Sequence, residues 1–157
     1  MIEAVLETWR VHDDLNFFLL GRIPEAGMRA VTLLKNGQPS TGRDVARVFA
    51  HVHNVRVSHV PKGFQGSARL FENGVTPSKS ELEEALRASG SAVAELLRAS
   101  LGRDPRVKNY DRTGIRLLGY LISHESHHRG QVMLALKQSG VRLPEDVRFG
   151  LWTTWLK

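Results

Sequence analysis

Three of the chain's seven histidines fall within the run Ser123-His124-Glu125-Ser126-His127-His128-Arg129-Gly130-Gln131. His124 and His128 are four residues apart, which on a helix is about 40° of rotation and roughly 5–6 Å between Cβ atoms. Two imidazoles so placed can reach one divalent cation at about 2.0–2.1 Å each. His127 lies off that line, although its spacing from His124 also puts those two side chains on neighbouring surface. An isolated His-x-x-x-His pair is more often incidental than a metal site. Here the pair sits near the apolar side of its segment, where an unpaired ring is costly to bury. Two ligands hold a metal weakly, so a third is required, and a chain without cysteine must supply an imidazole or a carboxylate.

The run Phe49-Ala50-His51-Val52-His53-Asn54-Val55-Arg56 offers that third group. Its apolar axis passes through Val45, Val48, Phe49, Val52 and Val55, and His51 lies roughly 90° off the centre, on a flank that can face a neighbouring helix. His53 lies on the opposite flank at roughly 110°, and His59 lies near the centre of the stripe. On spacing alone these three are rivals. His12, beside Asp13 and Asp14, reads as an exposed residue.

The string His124-Glu125-Ser126-His127-His128 also satisfies H-E-x-x-H, in which two helical histidines bind zinc and the glutamate is a general base for peptide hydrolysis. The longer form, with glycine and a third histidine at fixed offsets, is excluded: Arg129, Gly130 and Gln131 lead into an apolar run without histidine. A downstream glutamate ligand would have to be Glu145, beyond Pro144. No segment reads as a strand able to align a peptide by edge addition, so a protease is the weaker reading.

Four segments with helical apolar spacing must position these residues, separated by Gly, Pro and Asn. The first runs from about Glu3 to Gly21 and stops before Ile23-Pro24. A short stretch from Ala26 to Leu34 and a loop at Asn36-Gly37-Gln38-Pro39-Ser40 lead to the second, which carries Val45 to His59 and ends before Pro61. A glycine-rich, polar connection from Pro61 to Pro77 follows, long enough to cross from one end of a bundle to the other. The third helix opens with a capping-box signal, Ser80 and Glu83, and runs to Leu101-Gly102, with Gly90 weakening its middle. After a loop from Arg103 to Arg112, the fourth spans Gly114 to Ser139 and lines one face with Leu117, Leu118, Leu121, His124, His128, Val132 and Ala135. The tail from Val141 to Lys157, with a short helix after Pro144 and Trp152 and Trp155 near its end, is expected to fold back over the bundle.

With 157 residues, 41% hydrophobic and 24% charged, the chain has the size and balance of one domain, 1–157, with a core that needs no disulfide. Its 22 Lys and Arg against 16 Asp and Glu leave a net charge of +6, but the basic residues are scattered, without the blocks that mark a nucleic-acid surface. No apolar run approaches the ~20 residues of a membrane span, and the start at Met1-Ile2-Glu3 lacks the features of a signal peptide. The expectation is a cytoplasmic protein with neither nucleic-acid nor membrane partners.

The fourth-helix run His124 to Gln131 with Leu136-Lys137-Gln138-Ser139-Gly140, the second-helix run Ala50 to Arg56, and the closing Gly150-Leu151-Trp152-Thr153-Thr154-Trp155 together resemble the DinB/YfiT-like metalloenzymes, bacterial four-helix proteins. The resemblance covers nearly the whole chain in order. It implies an all-α, up-down-down-up four-helix bundle holding a metal through three histidines, one from the second helix and two from the fourth. Carried onto this sequence, they are His51, His124 and His128; the family's first histidine follows a small apolar residue, which suits Ala50-His51 and lowers His53. The resemblance further implies zinc or nickel as the metal, a homodimer, and, in some relatives, low-molecular-weight thiols as cosubstrates in transferase or isomerase reactions.

Three neutral imidazoles leave a divalent ion its charge and an open position, as in catalytic sites. Lacking cysteine, the chain would take any thiol from its substrate. Glu125 and Gln131 are candidates to orient a ligand ring, and Arg129 reads as solvated. The leading expectation is a metal-dependent, thiol-dependent transferase, or a related hydrolase or isomerase, acting on a small molecule. The alternative is a noncatalytic metal-binding, stress-response or dimerisation module. The enzyme reading expects a pocket lined by the Pro61–Pro77 connection.

Overall fold

Two X-Pro steps set the ends of the first two helices. Helix α1 (Ile2–Arg22) stops at Ile23 and α2 (Val45–His59) stops at Val60. Both stop residues are extended, at φ −79°, ψ 123° and φ −95°, ψ 122°, because a following proline disfavours helical backbone in the residue before it. At its start, α2 is capped by Asp44, whose side chain accepts from the Arg47 N–H at 2.9 Å. The computed structural model describes residues 1–108 and 112–156, and within them α3 (Lys79–Leu101), α4 (Leu117–Gln138) and α5 (Glu145–Thr153) complete an all-helical chain.

The α3 capping box is formed by Ser78 and Glu81, two residues upstream of the expected Ser80 and Glu83. Glu81 accepts from the Ser78 N–H at 2.7 Å, while the Glu81 N–H donates to Ser78 Oγ. Both serine–glutamate pairs have the right spacing. The upstream frame alone puts Pro77 immediately before the cap and Leu82 four residues after it, and both are buried, as in a hydrophobic staple. Helix α4 is entered through a π-helical turn, Arg112–Arg116, where a regular helix was expected from Gly114. It ends in a Schellman arrangement: Val141 N–H donates to Leu136 O at 2.9 Å, Gly140 N–H to Lys137 O, and Gly140 takes φ +77°. Residues 109–111 of the expected Arg103–Arg112 loop, and Lys157 of the tail, lie outside the described residues.

The stretch expected around Ala26 to Leu34 is a 3-10 turn, Glu25–Arg29, followed by extended chain. Its isolated bridge from Leu33 to Pro39 is the only β pairing among the described residues. The tail does fold back, through α5, whose Val147 is buried and whose Gly150 lies against the Phe18 ring of α1. Trp152 does not cover the bundle; it is 74% exposed. No helix among the described residues is long and apolar enough to cross a membrane.

Helix α3 packs on α1 and on α2, and α2 packs on α4. Along α1 and α3, Glu3 meets Arg98 near one end, Trp9 Nε1 donates to Gly90 O at 3.0 Å midway, and Lys79 Nζ reaches Ile23 O near the other. The apolar interior is divided in two. One cluster contains Leu19, Leu20, Phe49, Leu82, Leu86 and Leu136; the other contains Leu6, Trp9, Val93, Leu96, Leu97 and Leu121. Between them lies a buried polar layer to which α1, α2 and α4 each contribute charged or polar side chains.

Gly90 serves this layer. A Cβ at that position would collide with the carboxylate of Asp13, which itself bonds Arg56, so glycine admits α1 to close packing that outweighs its helix-propensity cost. Gly90→Ala is therefore expected to destabilise the fold by about 1–3 kcal/mol in urea denaturation. The same change at exposed Gly119, where a Cβ meets nothing within 4 Å, should gain up to about 1 kcal/mol.

Candidate metal centre

Helix α2 presents His51 toward α4, and α4 presents His124 and His128 one turn apart. The Nε2 atoms of His51 and His124 are 3.3 Å apart, and those of His124 and His128 are 3.0 Å apart. One ligand atom from each of the three rings lies within 4.8 Å of the others. Nitrogens bound to one ion at about 2.0–2.1 Å, with angles between octahedral and tetrahedral values, stand roughly 3.0–3.4 Å apart, so both close pairs have the spacing of shared ligands. The ring planes of His51 and His128 are nearly perpendicular, which lets the rings converge edge-on without stacking.

All three rings are pushed toward the neutral form. Burial lowers the basicity of His51 to about 4, with the positive charge of Arg43 and the two neighbouring imidazoles adding to the effect. Burial likewise depresses His124, helped by His128. His128 is depressed by burial against the opposing hydrogen bond it makes to Gln131. Neutral imidazoles have free lone pairs, the form a cation requires. In His128 the choice of nitrogen is fixed: Gln131 Oε1 can only accept, so Nδ1–H donates to it at 2.8 Å and Nε2 carries the lone pair. His124 is stacked by Tyr120, ring centroids 5.6 Å apart, and its Nδ1 is buried without a hydrogen-bond partner.

The other histidines do not join this group, although the His127 ring packs edge-on against His128. His53 is fully buried, but its Nε2–H donates to the Arg69 carbonyl at 2.7 Å. His59 donates through Nδ1 to the Val55 carbonyl and packs on Tyr120. His127 is exposed and accepts from the Gln131 amide at 2.9 Å. Gln131 thus orients a ring, as expected of it.

Glu125 does something else. Its carboxylate is fully buried and turned into the bundle, where it accepts from Arg56 Nε and Nη2, both at 2.7 Å, from Asn16 at 2.7 Å, and from His12 Nε2 at 2.9 Å. Burial alone would raise its pKa; the charge and hydrogen bonds of Arg56, joined by His12, overcome this and hold it well below the usual carboxylate range. A carboxylate buried with both oxygens taken up by Arg56, Asn16 and His12 is poorly placed to act as a general base, which weighs against the protease reading of H-E-x-x-H.

The same layer corrects two further expectations. His12 is fully buried rather than exposed, because its ring bridges Glu125 and Arg129. Arg129 is buried rather than solvated: it donates to Asn16 Oδ1 and Ser126 Oγ, and burial draws its pKa down to about 10 against the attraction of Glu125. Arg56, which the sequence reading did not single out, bonds Asp13 as well as Glu125 and lies over the Trp9 ring. A signal for it existed. Residues 45, 49, 52 and 56 keep core register on α2, as 118, 121, 125, 128 and 132 do on α4, so opposite charges occupy core positions on two helices.

The chain matches the DinB family over residues 3–154. No curated protein and no solved structure matches it.

Glu125→Gln should cost about 3–5 kcal/mol in urea denaturation, because Arg56 is left buried with a weakened partner. Adding Arg56→Met to that variant is expected to recover part of the loss, since an apolar pair removes the uncompensated charge. A double variant no more stable than the single one would contradict the pairing.

Proposed function

Because the chain belongs to the DinB family, we propose that it is a divalent-metal-dependent enzyme acting on a small molecule, with His51, His124 and His128 as the protein's metal ligands. The observation that carries this reading is the gathering of three imidazole nitrogens from two helices within 4.8 Å of one another, with the His51–His124 and His124–His128 separations those of ligands to one ion. When bound, a divalent ion with an open position supplies a Lewis acid that makes a thiol or water acidic near neutral pH. Zinc or nickel is the proposed metal, since both accept an all-imidazole set.

The chain's own contribution is to hold the rings. Gln131 fixes the tautomer of His128, Tyr120 braces the His124 ring, and the Glu125–Arg56 pair locks α4 against α2 behind the site. With no cysteine of its own, the protein leaves a thiol nucleophile to be brought in by a cosubstrate, which favours a low-molecular-weight-thiol-dependent transferase. A cavity of 260 Å³ beside His51, with residues 71–75 of the connection after α2 in its wall, supports an enzyme over a closed binding module. The helix pairings, with α3 against both α1 and α2 and α2 against α4, support an up-down-down-up order.

Elemental analysis of untagged protein tests the reading. About one zinc or nickel per chain is expected in the wild type, lost in His51→Ala, His124→Ala and His128→Ala and retained in His53→Ala and His127→Ala. Loss in His53→Ala with retention in His51→Ala would overturn the ligand set. Gln131→Leu should keep the metal but weaken its affinity about 10–100-fold in chelator competition.

A further inference from the structure

The cavity beside His51 has an uneven distribution of charge. Arg43 and Arg47, four residues apart at the start of α2, stand along one side, and Glu72 is the carboxylate among its lining residues. Neither guanidinium makes an ion pair or a side-chain hydrogen bond among the described residues. Other arginines of this chain are engaged, as Arg29 is with Asp44 and Arg106 with Asp104, or stand on the surface without a side-chain partner among the described residues, as Arg103 and Arg116 do; what distinguishes Arg43 and Arg47 is that both line the cavity that His51 also lines. Two uncommitted, geometrically forked donors beside a ligand ring fit a group with several acceptor oxygens.

The opposite wall is built to stay in place. Asn54, one turn after His51, donates to the Phe71 carbonyl and accepts from the Phe71 N–H, both at 2.9 Å, which ties the connection to α2. Gly74, at φ +86°, then turns the chain in the left-handed region. Asn54 is thereby occupied, and the two arginines are the cationic groups that remain to meet a ligand.

We infer that this cavity is the subsite for an acidic group of the substrate or cosubstrate, a carboxylate or phosphate gripped by Arg43 and Arg47 while the reacting end lies at the three histidines. The position of the reacting end rests on the metal reading above; capture of the anion does not. Glu72 opposes the anion and sets the sign of a control. Arg43 is exposed and Arg47 only half-buried, so replacing them leaves the core intact.

The test uses three thiols of similar size on cobalt-loaded protein, followed by the thiolate–cobalt absorption band: mercaptopropionate, mercaptoethanol and cysteamine. Mercaptopropionate should bind at least about tenfold more tightly than the other two, as charge-assisted contacts to two guanidiniums allow. In the Arg43→Ala/Arg47→Ala protein that preference should vanish while cobalt content and mercaptoethanol affinity stay unchanged, and Glu72→Gln should enlarge it. In parallel, succinate is titrated into metal-free protein and the arginine Nε–H resonances are followed by NMR. Those of Arg43 and Arg47 should shift in the wild type, and succinate binding should be lost in the double variant. Cobalt bound with no preference among the thiols, or a preference that survives the double substitution, overturns the subsite and leaves the metal reading standing. No cobalt bound, with succinate still captured by the two arginines, overturns the metal reading and leaves the subsite standing. No cobalt and no succinate binding overturns both.

Discussion

A carboxylate and a guanidinium, both with no exposure to solvent, meet at the centre of this bundle: Glu125 of α4 accepts two hydrogen bonds from Arg56 of α2. Each is untenable there without the other, since an unpaired charge in such a place would cost several kcal/mol after relaxation. The packing of α2 and α4 must therefore bring these two residues opposite each other. That requirement sets the register of the helices that carry the three histidines. A slip of one turn along either helix would separate the ions and pull His51 away from His124 and His128.

The layer around this pair is balanced. Arg56 and Arg129 bring positive charge, Glu125 and Asp13 negative, and burial keeps His12 neutral against the attraction of Glu125. Asn16 links the halves by donating to Glu125 and accepting from Arg129. A layer so closed adds less net stability than apolar packing of the same volume would, because desolvation offsets much of the Coulomb attraction. What it contributes is direction. Leu and Val clusters on either side could slide past one another with small penalties, whereas bonds near 2.7 Å between named atoms admit one alignment.

Consecutive residues on α4 divide the work. His124 points to the flank shared with α2, and Glu125, about 100° further round, points into the bundle. His128 and Arg129 repeat the division one turn later, with His128 in the cluster and Arg129 in the polar layer. The motif that looks like a protease signature is thus two interleaved devices on one helix. One gathers imidazoles beside a cavity, and the other anchors the helix that bears them.

Much of this was legible in the residues. The helices, their proline stops, the Gly140 terminus and the pairing of His124 with His128 follow from local chemistry: steric exclusion before proline, left-handed backbone at glycine, and the 3.6-residue turn. Other features depended on partners far along the chain. Spacing left His51, His53 and His59 as rivals, and only the placement of α4 and of residue 69 decided that His51 meets the cluster while His53 bonds a carbonyl. His12 and Arg129 read as surface residues because hydrophilic side chains are usually solvated; each is buried because folding brings it a polar partner from more than a hundred residues away, which no local window reveals. Sequence determined the elements and the chemical repertoire, since both are properties of short windows. Tertiary structure decided which polar groups share an interior, because desolvation can be offset only by a partner that folding brings within bonding distance.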